Sequence, residues 1–539
     1  MKLPQRINQL FIHAHTIAGI SISTLLFVIF FAGAFSIFRW ELYQWENPNA
    51  RIPVAESVDL DQVIEAIKTY DPLFDPHSQF TLRPPSHEQP LFSVFGASFT
   101  DTAKTSTERF VYYLKVSDGE YTFSSDGRAF TTVGETLYRL HYLRPLPFAL
   151  YISGFISIFF LLATISGLVI HWNSIVSKFF ALSYSISWKA LWRNAHTVLG
   201  LVGLPFQIMY AVTGAFFGLL TLLLIPAALV FFEGDPAKVQ QAVAPNRFID
   251  GVENAQPAKM LPVNPFFKEV VNQYPGYTVG NAQFSHYGDE DAYVIFNFDN
   301  NETINGLGQV GYNLATGERI VSFDPSETTY VNSVLNTITR LHFARFGGYA
   351  MRIVYVLLAL LTCGMLLTGV LLWYEARNNK KYAPEQRRFQ YRLTKGYLSF
   401  CLALIPASAL LFIANKVIPL DVADRVYYVK LTFFLGWLLI TVLGFLPKQF
   451  ASVNKVHFSL TGLCGVLIPL VNGIVTTDWL WVTAQNGMWY VFGVDAFWLT
   501  VGLGSFFIAS KIRSKEEVES TVPVTRADEI LAEGGVSVS

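Results

Sequence analysis

The stretch Ala195–Phe216, AHTVLGLVGLPFQIMYAVTGAF, restates one the chain has already used at Ala14–Phe35, AHTIAGISISTLLFVIFFAGAF. Aligned without gaps, Ala14, His15, Thr16, Gly19, Gly33, Ala34 and Phe35 recur as Ala195, His196, Thr197, Gly200, Gly214, Ala215 and Phe216. Each copy is apolar and long enough to cross a bilayer, because about 20 helical residues at about 1.5 Å rise cover the roughly 30 Å hydrocarbon layer. Each opens on a histidine, placed where the span meets water.

A second pair follows the same plan. Thr-Leu-Tyr-Arg-Leu-His ends at His141 and Thr-Ile-Thr-Arg-Leu-His at His342, and another long apolar run follows each. The unit therefore reads histidine, span, polar segment, Arg-Leu-His, span, and it occurs twice. Duplicated membrane proteins commonly build their sites on the axis between the repeats.

Of 539 residues, 52% are hydrophobic and only 15% charged, against about 25% charged in soluble domains. This predicts a polytopic α-helical membrane protein in contact with lipid. With 39 basic against 40 acidic residues there is no basic excess, which argues against a nucleic-acid partner. Cys363, Cys401 and Cys464 all fall in apolar spans and read as buried small residues rather than disulfides or thiolate ligands.

In chain order, residues 1–40 form a first span read as an uncleaved signal anchor, and 41–138 a polar module with a helix at Asp59–Tyr70 and a hairpin around Phe110–Tyr121. Residues 139–174 form the second span. A basic loop and the third span occupy 175–232, and this span, longer than a bilayer requires, is expected to tilt, to bend near Pro205 or Pro226, or to project beyond the lipid. A second polar module covers 233–340, with a helix at Pro265–Gln273 and strands from Tyr293 and Gly311. The fourth span is 341–376, four more spans lie within 396–510, and 511–539 is a polar tail. This makes about eight spans. Lys178, Lys189 and Arg193 in one loop, and Arg377 to Lys395 in another, place those loops and both termini in the cytoplasm by the positive-inside rule.

That topology sorts the histidines. His15, His171, His196 and His457 fall at cytoplasmic ends, His141 and His342 at outer ends. If the halves pack about a pseudo-two-fold axis, His15 meets His196 and His141 meets His342. Imidazole is a common axial ligand of haem iron, and helix bundles build cofactor sites from facing helices. Two b-type haems are expected, one near each surface; no Cys-x-x-Cys-His is present for covalent attachment. Gly19, Gly33, Gly154, Gly167, Gly200, Gly203, Gly214 and Gly369 would let a flat macrocycle or a neighbouring helix approach.

His171 breaks the symmetry, since Trp373 stands at its counterpart. Either it replaces His15 or His196 as an axial ligand, or it bonds a haem propionate, or it is interfacial. His13, His286 and His457 read as ordinary interfacial residues, and His77 and His87 as surface loop residues. Asp495, inside the last span, either pairs with a polar partner or serves a proton or quinol path.

These residues resemble the PepSY-associated transmembrane helix family of iron-regulated bacterial inner-membrane proteins, which includes ferrisiderophore reductases. The likeness rests on AlaHisThrIleAlaGly and AlaHisThrValLeuGly, on ArgLeuHis at His141 and His342, on SerGlyLeuValIleHisTrp at His171, and on TyrAsnLeuAlaThrGlyGlu in the second module. It covers about residues 10–376. Thr16 and Thr197 depart from the family's commoner His-Arg-Trp start, and the last four spans lie outside it. The resemblance implies two PepSY-like α+β modules outside the cytoplasm. It also implies a di-haem b protein of the inner membrane that passes electrons to ferric iron held by a siderophore or other chelate. With no GxGxxG between a strand and a helix, the electron donor would be a membrane quinol or a cytoplasmic reductase. Two other readings are a haem-free regulatory or peptide-binding protein, the role first suspected for PepSY modules, and a ferric-chelate transporter.

Overall fold

The computed structural model describes residues 4–48, 58–85, 92–117, 120–124, 132–180, 187–235, 238–239, 255–300, 302–304, 306–326, 330–447 and 449–512. His87, the turn after Ser117 and nearly all of the expected tail lie outside them. The chain divides into two compact units, Met1–Lys380 and Lys381–Ser539.

The first unit opens with α1 (Gln5–Ser36) and a short α2 (Arg39–Glu46), followed by α3 (Leu60–Tyr70) and strands β1 (Phe80–Arg83), β2 (Ser93–Phe99), β3 (Thr107–Ser117) and β4 (Glu120–Ser124). A short α4 (Val133–His141) leads into α5 (Ala149–His171). The second half runs through α6 (Trp188–Val202), α7 (Leu204–Phe231), α8 (Val263–Gln273), β5 (Thr278–Ser285), β6 (Tyr293–Asp299), β7 (Leu307–Asn313), β8 (Arg319–Phe323), α9 (Tyr330–Phe343) and α10 (Gly348–Arg377). The third span is thus two helices broken at Gly203, just before Pro205, whereas Pro226 sits inside α7.

The polar modules do not stand apart. Their strands form one eight-stranded antiparallel sheet, in the order β4-β3-β2-β1-β5-β6-β7-β8. The seam pairs Phe80 with Phe284, Thr81 with Gln283 and Leu82 with Ala282. Phe80 and Phe284 stack at 4.7 Å. One sheet face carries Leu82, Val94, Leu114, Val294, Phe296 and Val310, all buried against Leu60, Val63, Ile64 and Ile67 of α3 and Val263 and Val270 of α8. Each such side chain contributes about 1.5–3 kcal/mol on leaving water. The two covering helices also cap each other. The Asp61 carboxylate accepts from Val263 N (2.7 Å) and Asn264 N (3.0 Å), and Asn264 Oδ1 accepts from Leu60 N at 3.1 Å. Pairing the β1 edge with the β5 edge satisfies two strands that would otherwise be exposed.

Below the sheet the four spans close into a ring. Helix α1 packs on α5 and α10, α7 on α5, and α6 on α10. Three of the four connections between spans and sheet run through α2, α4 and α9, and the fourth joins α7 to α8. Every span end is therefore either sheet-side or far from the sheet.

The second unit holds four more helices apolar enough to cross a membrane, α11 (Pro384–Val417), α12 (Arg425–Leu443), α13 (Phe450–Thr476) and, after a short α14 (Leu480–Gln485), α15 (Trp489–Lys511). This brings the candidate spans among the described residues to eight. Here Asp495 has a partner: Asn472 Nδ2 donates to its carboxylate at 2.8 Å, and both residues are wholly buried. His457 is buried too, with Nδ1 2.7 Å from Val453 O, so it is not the interfacial residue its position suggested. Cys363, Cys401 and Cys464 are buried thiols.

Candidate functional site: two facing pairs of imidazoles

The histidines of the repeat meet in two pairs. At the far end, the rings of His15 on α1 and His196 on α6 lie 6.0 Å apart between centroids, inclined by 67°. At the sheet-side end, those of His141 on α4 and His342 on α9 lie 5.9 Å apart, inclined by 45°.

Each ring is oriented through its Nδ1. That of His15 is 2.8 Å from Ala163 O on α5, that of His196 2.9 Å from Met365 O on α10, and that of His141 2.8 Å from Ile29 O on α1. A carbonyl can only accept, so Nδ1 carries the proton and Nε2 keeps its lone pair, the form in which imidazole binds metal. In all three cases the residue four positions beyond that carbonyl is glycine. A Cβ would come within 3.1 Å of His15 at Gly167, 3.0 Å of His196 at Gly369 and 2.8 Å of His141 at Gly33. These glycines are the seats on which the imidazoles lie. Gly154 and Gly218 instead let α5 and α7 cross closely, a Cβ on Gly218 falling 2.4 Å from Gly154 Cα.

His342 breaks the pattern. Its Nδ1 is 3.0 Å from Thr213 Oγ1, whose own proton goes to Met209 O at 2.9 Å. The Arg-Leu-His arginines also diverge. Arg340 is buried and donates to Asp299 and to the carbonyls of Asn300, Thr303 and Arg345, which ties α9 to the end of β6. Arg139 pairs with Glu135 at 2.6 Å on the surface. At the start of α4 the buried Glu46 carboxylate accepts from the N–H groups of Thr132, Val133 and Gly134 at 2.6, 2.9 and 2.7 Å. Glu46 is a helix cap supplied from another helix.

The far pair faces a cavity of about 450 Å³, bordered also by His171, Gln207, Trp373, Arg193 and Arg377. Such a volume lies within the range of about 300–1,000 Å³ usual for ligand pockets. Two metal–imidazole bonds of about 2 Å plus the ring radii put centroids about 6 Å apart, so both pairs match ligation of one iron from opposite faces. The far site fits haem in donors, spacing and volume, and its two guanidinium groups suit propionates. The sheet-side cleft fits in donors and spacing, but at about 40 Å³ among Phe30, Phe206, Tyr210 and Phe343 it takes a macrocycle only if those rings turn aside.

His171 lies at the end of α5 on the wall of the far cavity, outside the facing pair, and Trp373 lines the same cavity from α10. In the sheet region, His77 is 2.7 Å from Asp289 and His286 2.9 Å from Asp291. The sequence did not mark Thr213, and it marked Arg193 and Arg377 for topology alone, not as site residues. For Arg193 the signal was its place one helical turn before His196.

Duplicated spans, a shared extramembrane sheet and paired imidazoles define a multi-pass membrane protein with a candidate site at each end of one helix ring. The chain belongs to the family described as PepSY-associated TM region, whose model matches residues 12–376. The match ends with α10, so the last four spans lie outside it. The chain is also similar to an uncharacterized protein of Pseudomonas aeruginosa, at 24% identity over 269 residues, covering 44% of this chain and 64% of the relative.

Proposed function

We propose that the chain is a transmembrane di-haem b electron-transfer protein of the bacterial inner membrane. It reduces ferric iron bound to a siderophore or other chelate on the sheet side, which is then the periplasmic side. The observation that carries this reading is the pairing of four imidazoles at 6.0 and 5.9 Å, three with Nδ1 held by a carbonyl and the fourth by a hydroxyl. Haem held by these imidazoles would supply one-electron exchange rather than oxygen chemistry. The chain's own part is to fix four Nε2 lone pairs, keep a flat slot open with glycine and hold the rings in an apolar ring of helices.

Ferric iron gaining one electron becomes ferrous, which hard oxygen donors hold less well, so the metal leaves without the chelator being broken. Electrons come from a quinol or a cytoplasmic reductase. The test is haem stoichiometry of the purified chain with its reduced-minus-oxidised spectrum. Two haems per chain are expected, with His15→Ala and His196→Ala each losing one and His141→Ala and His342→Ala each losing the other. Undiminished haem in all four variants, or none in the parent chain, sinks the proposal.

A further inference from the structure

Three guanidinium groups gather where the sheet meets the sheet-side cleft. Arg39, at the start of α2, lies over the rings of Tyr138 at 4.3 Å and Trp40 at 4.5 Å. Arg345 lies over Phe343 at 5.6 Å. Tyr138 and Phe343 both line the cleft of His141 and His342. Arg83 ends β1, with its guanidinium 4.5 Å from the Phe95 ring. The register sets Arg83 opposite Ser93 and Ser93 opposite Tyr113, and cross-strand partners share a face. Tyr113 packs on Tyr43, as Trp40 does, so this face looks toward α2 and away from α3 and α8. Burial first, then the nearby charges of Arg39 and Arg345, hold the pKa of Arg83 below its usual value, with Tyr113 opposing.

Like charges kept together in partly desolvated surroundings repel unless an anion joins them. The carboxylates of α2 and α4 are already engaged. Glu41 is bound by Arg352 and Tyr349, Glu46 by the start of α4, and Glu135 by Arg139 and Tyr43. Among the described residues Arg39 and Arg83 enter no ion pair, and Arg39 Nε is buried without a hydrogen-bond partner. Stacking occupies the faces of the Arg39 and Arg83 guanidiniums and leaves their N–H edges for planar oxyanions.

We propose that Arg39 and Arg83, with the charge of Arg345 nearby, form an anion-binding site at the mouth of the sheet-side cleft, and that its ligand is a ferric chelate bearing carboxylate or similar oxyanions and a net negative charge. This rests on the reading of the cleft as the site of ferric reduction and narrows its substrate to anionic chelates. Haem propionates offer the same chemistry from a different source, and the experiment separates the two.

The probe is gallium(III) citrate, an anionic complex that cannot be reduced as iron is, bound to the purified full chain and followed by equilibrium dialysis. Saturable binding is expected, weakened about tenfold in Arg83→Gln and by high salt, with the haem content and spectrum of that variant unchanged. A neutral gallium trihydroxamate should not compete. Arg39→Gln gives a second route if the first variant does not fold. Equal binding of both complexes, or undiminished citrate binding in the variants, overturns the site. So does loss of haem in Arg83→Gln with citrate binding intact, which would assign the guanidinium to a propionate. A haem-free chain that still binds gallium citrate through Arg83 would end the electron-transfer reading and leave this site standing.

Discussion

The hydroxyl of Thr213 sits 3.0 Å from Nδ1 of His342, in the place that a main-chain carbonyl fills for His15, His141 and His196. The first copy of the repeat has Ala32 at the corresponding position. Because Thr213 donates to Met209 O, its oxygen accepts from Nδ1 and presents Nε2 to the cleft. Thr213→Val keeps the shape and removes the acceptor. Loss of such an outer partner typically weakens metal binding about 10–100-fold. The expected outcome is faster loss of the sheet-side haem on dialysis and a shift in its midpoint potential, with the far haem unaffected and Thr213→Ser restoring both. Unchanged retention and potential would show that Thr213 does not position His342.

The glycine seats give a second prediction. At Gly33 a methyl group would press on His141, and at Gly369 on His196, at distances real Cβ atoms rarely reach. The rings must move away from their carbonyls, since helix backbone cannot yield. Gly33→Ala is expected to lower only sheet-side haem and Gly369→Ala only far haem, while Gly504→Ala on α15, with open space around its Cβ, lowers neither. Equal haem content in all three variants would contradict the seat assignment.

How much of this could be read from the chain depends on what each feature imprints on it. A span announces itself because every residue along it must be apolar, and duplication made four of ten histidines stand out. That is why the facing of His15 with His196 and of His141 with His342 could be expected. The glycines were visible as places of close approach, but whether one admits a ring, as Gly167 does, or a helix, as Gly154 does, depends on the neighbour. The seam between Phe80 and Phe284 left no trace, because pairing two strands that far apart needs no turn residues. The two modules therefore looked separate when they share a sheet. Thr213 looked like any hydroxyl bonded back to its own helix, and the burial of His457 arises from helix packing that periodicity does not report.

Glu46 couples the sheet-side site to pH. Burial pushes its pKa up to about 7, against the downward pull of the N–H groups it accepts from. A carboxyl whose folded-state pKa exceeds its unfolded value of 4.5 holds its proton more tightly when folded. Its stabilisation is then complete below the unfolded value and is lost as pH rises through about 7. The thermal midpoint of the solubilised chain is expected to fall between about pH 5 and about pH 8. Glu46→Gln, neutral throughout, should flatten that slope at the cost of some capping. An identical slope in parent and variant would place the titration elsewhere.

Arg352 and Glu41 lock α10 to α2. The guanidinium donates to both carboxylate oxygens, at 2.7 and 2.8 Å, and to Ile37 O, while the Tyr349 hydroxyl adds a bond of 2.8 Å. Both side chains are under a tenth exposed. Removing one member strands a buried charge, which typically costs about 3–5 kcal/mol, whereas replacing both with apolar groups of similar size can be nearly neutral. Arg352→Met alone is therefore expected to lower the thermal midpoint sharply, and Glu41→Leu with Arg352→Met to recover most of the loss. Because α2 begins at Arg39, the double variant should retain both haems yet bind gallium citrate less well. Full citrate binding in the double variant would show that the ion pair serves stability alone and does not aim Arg39 at the cleft.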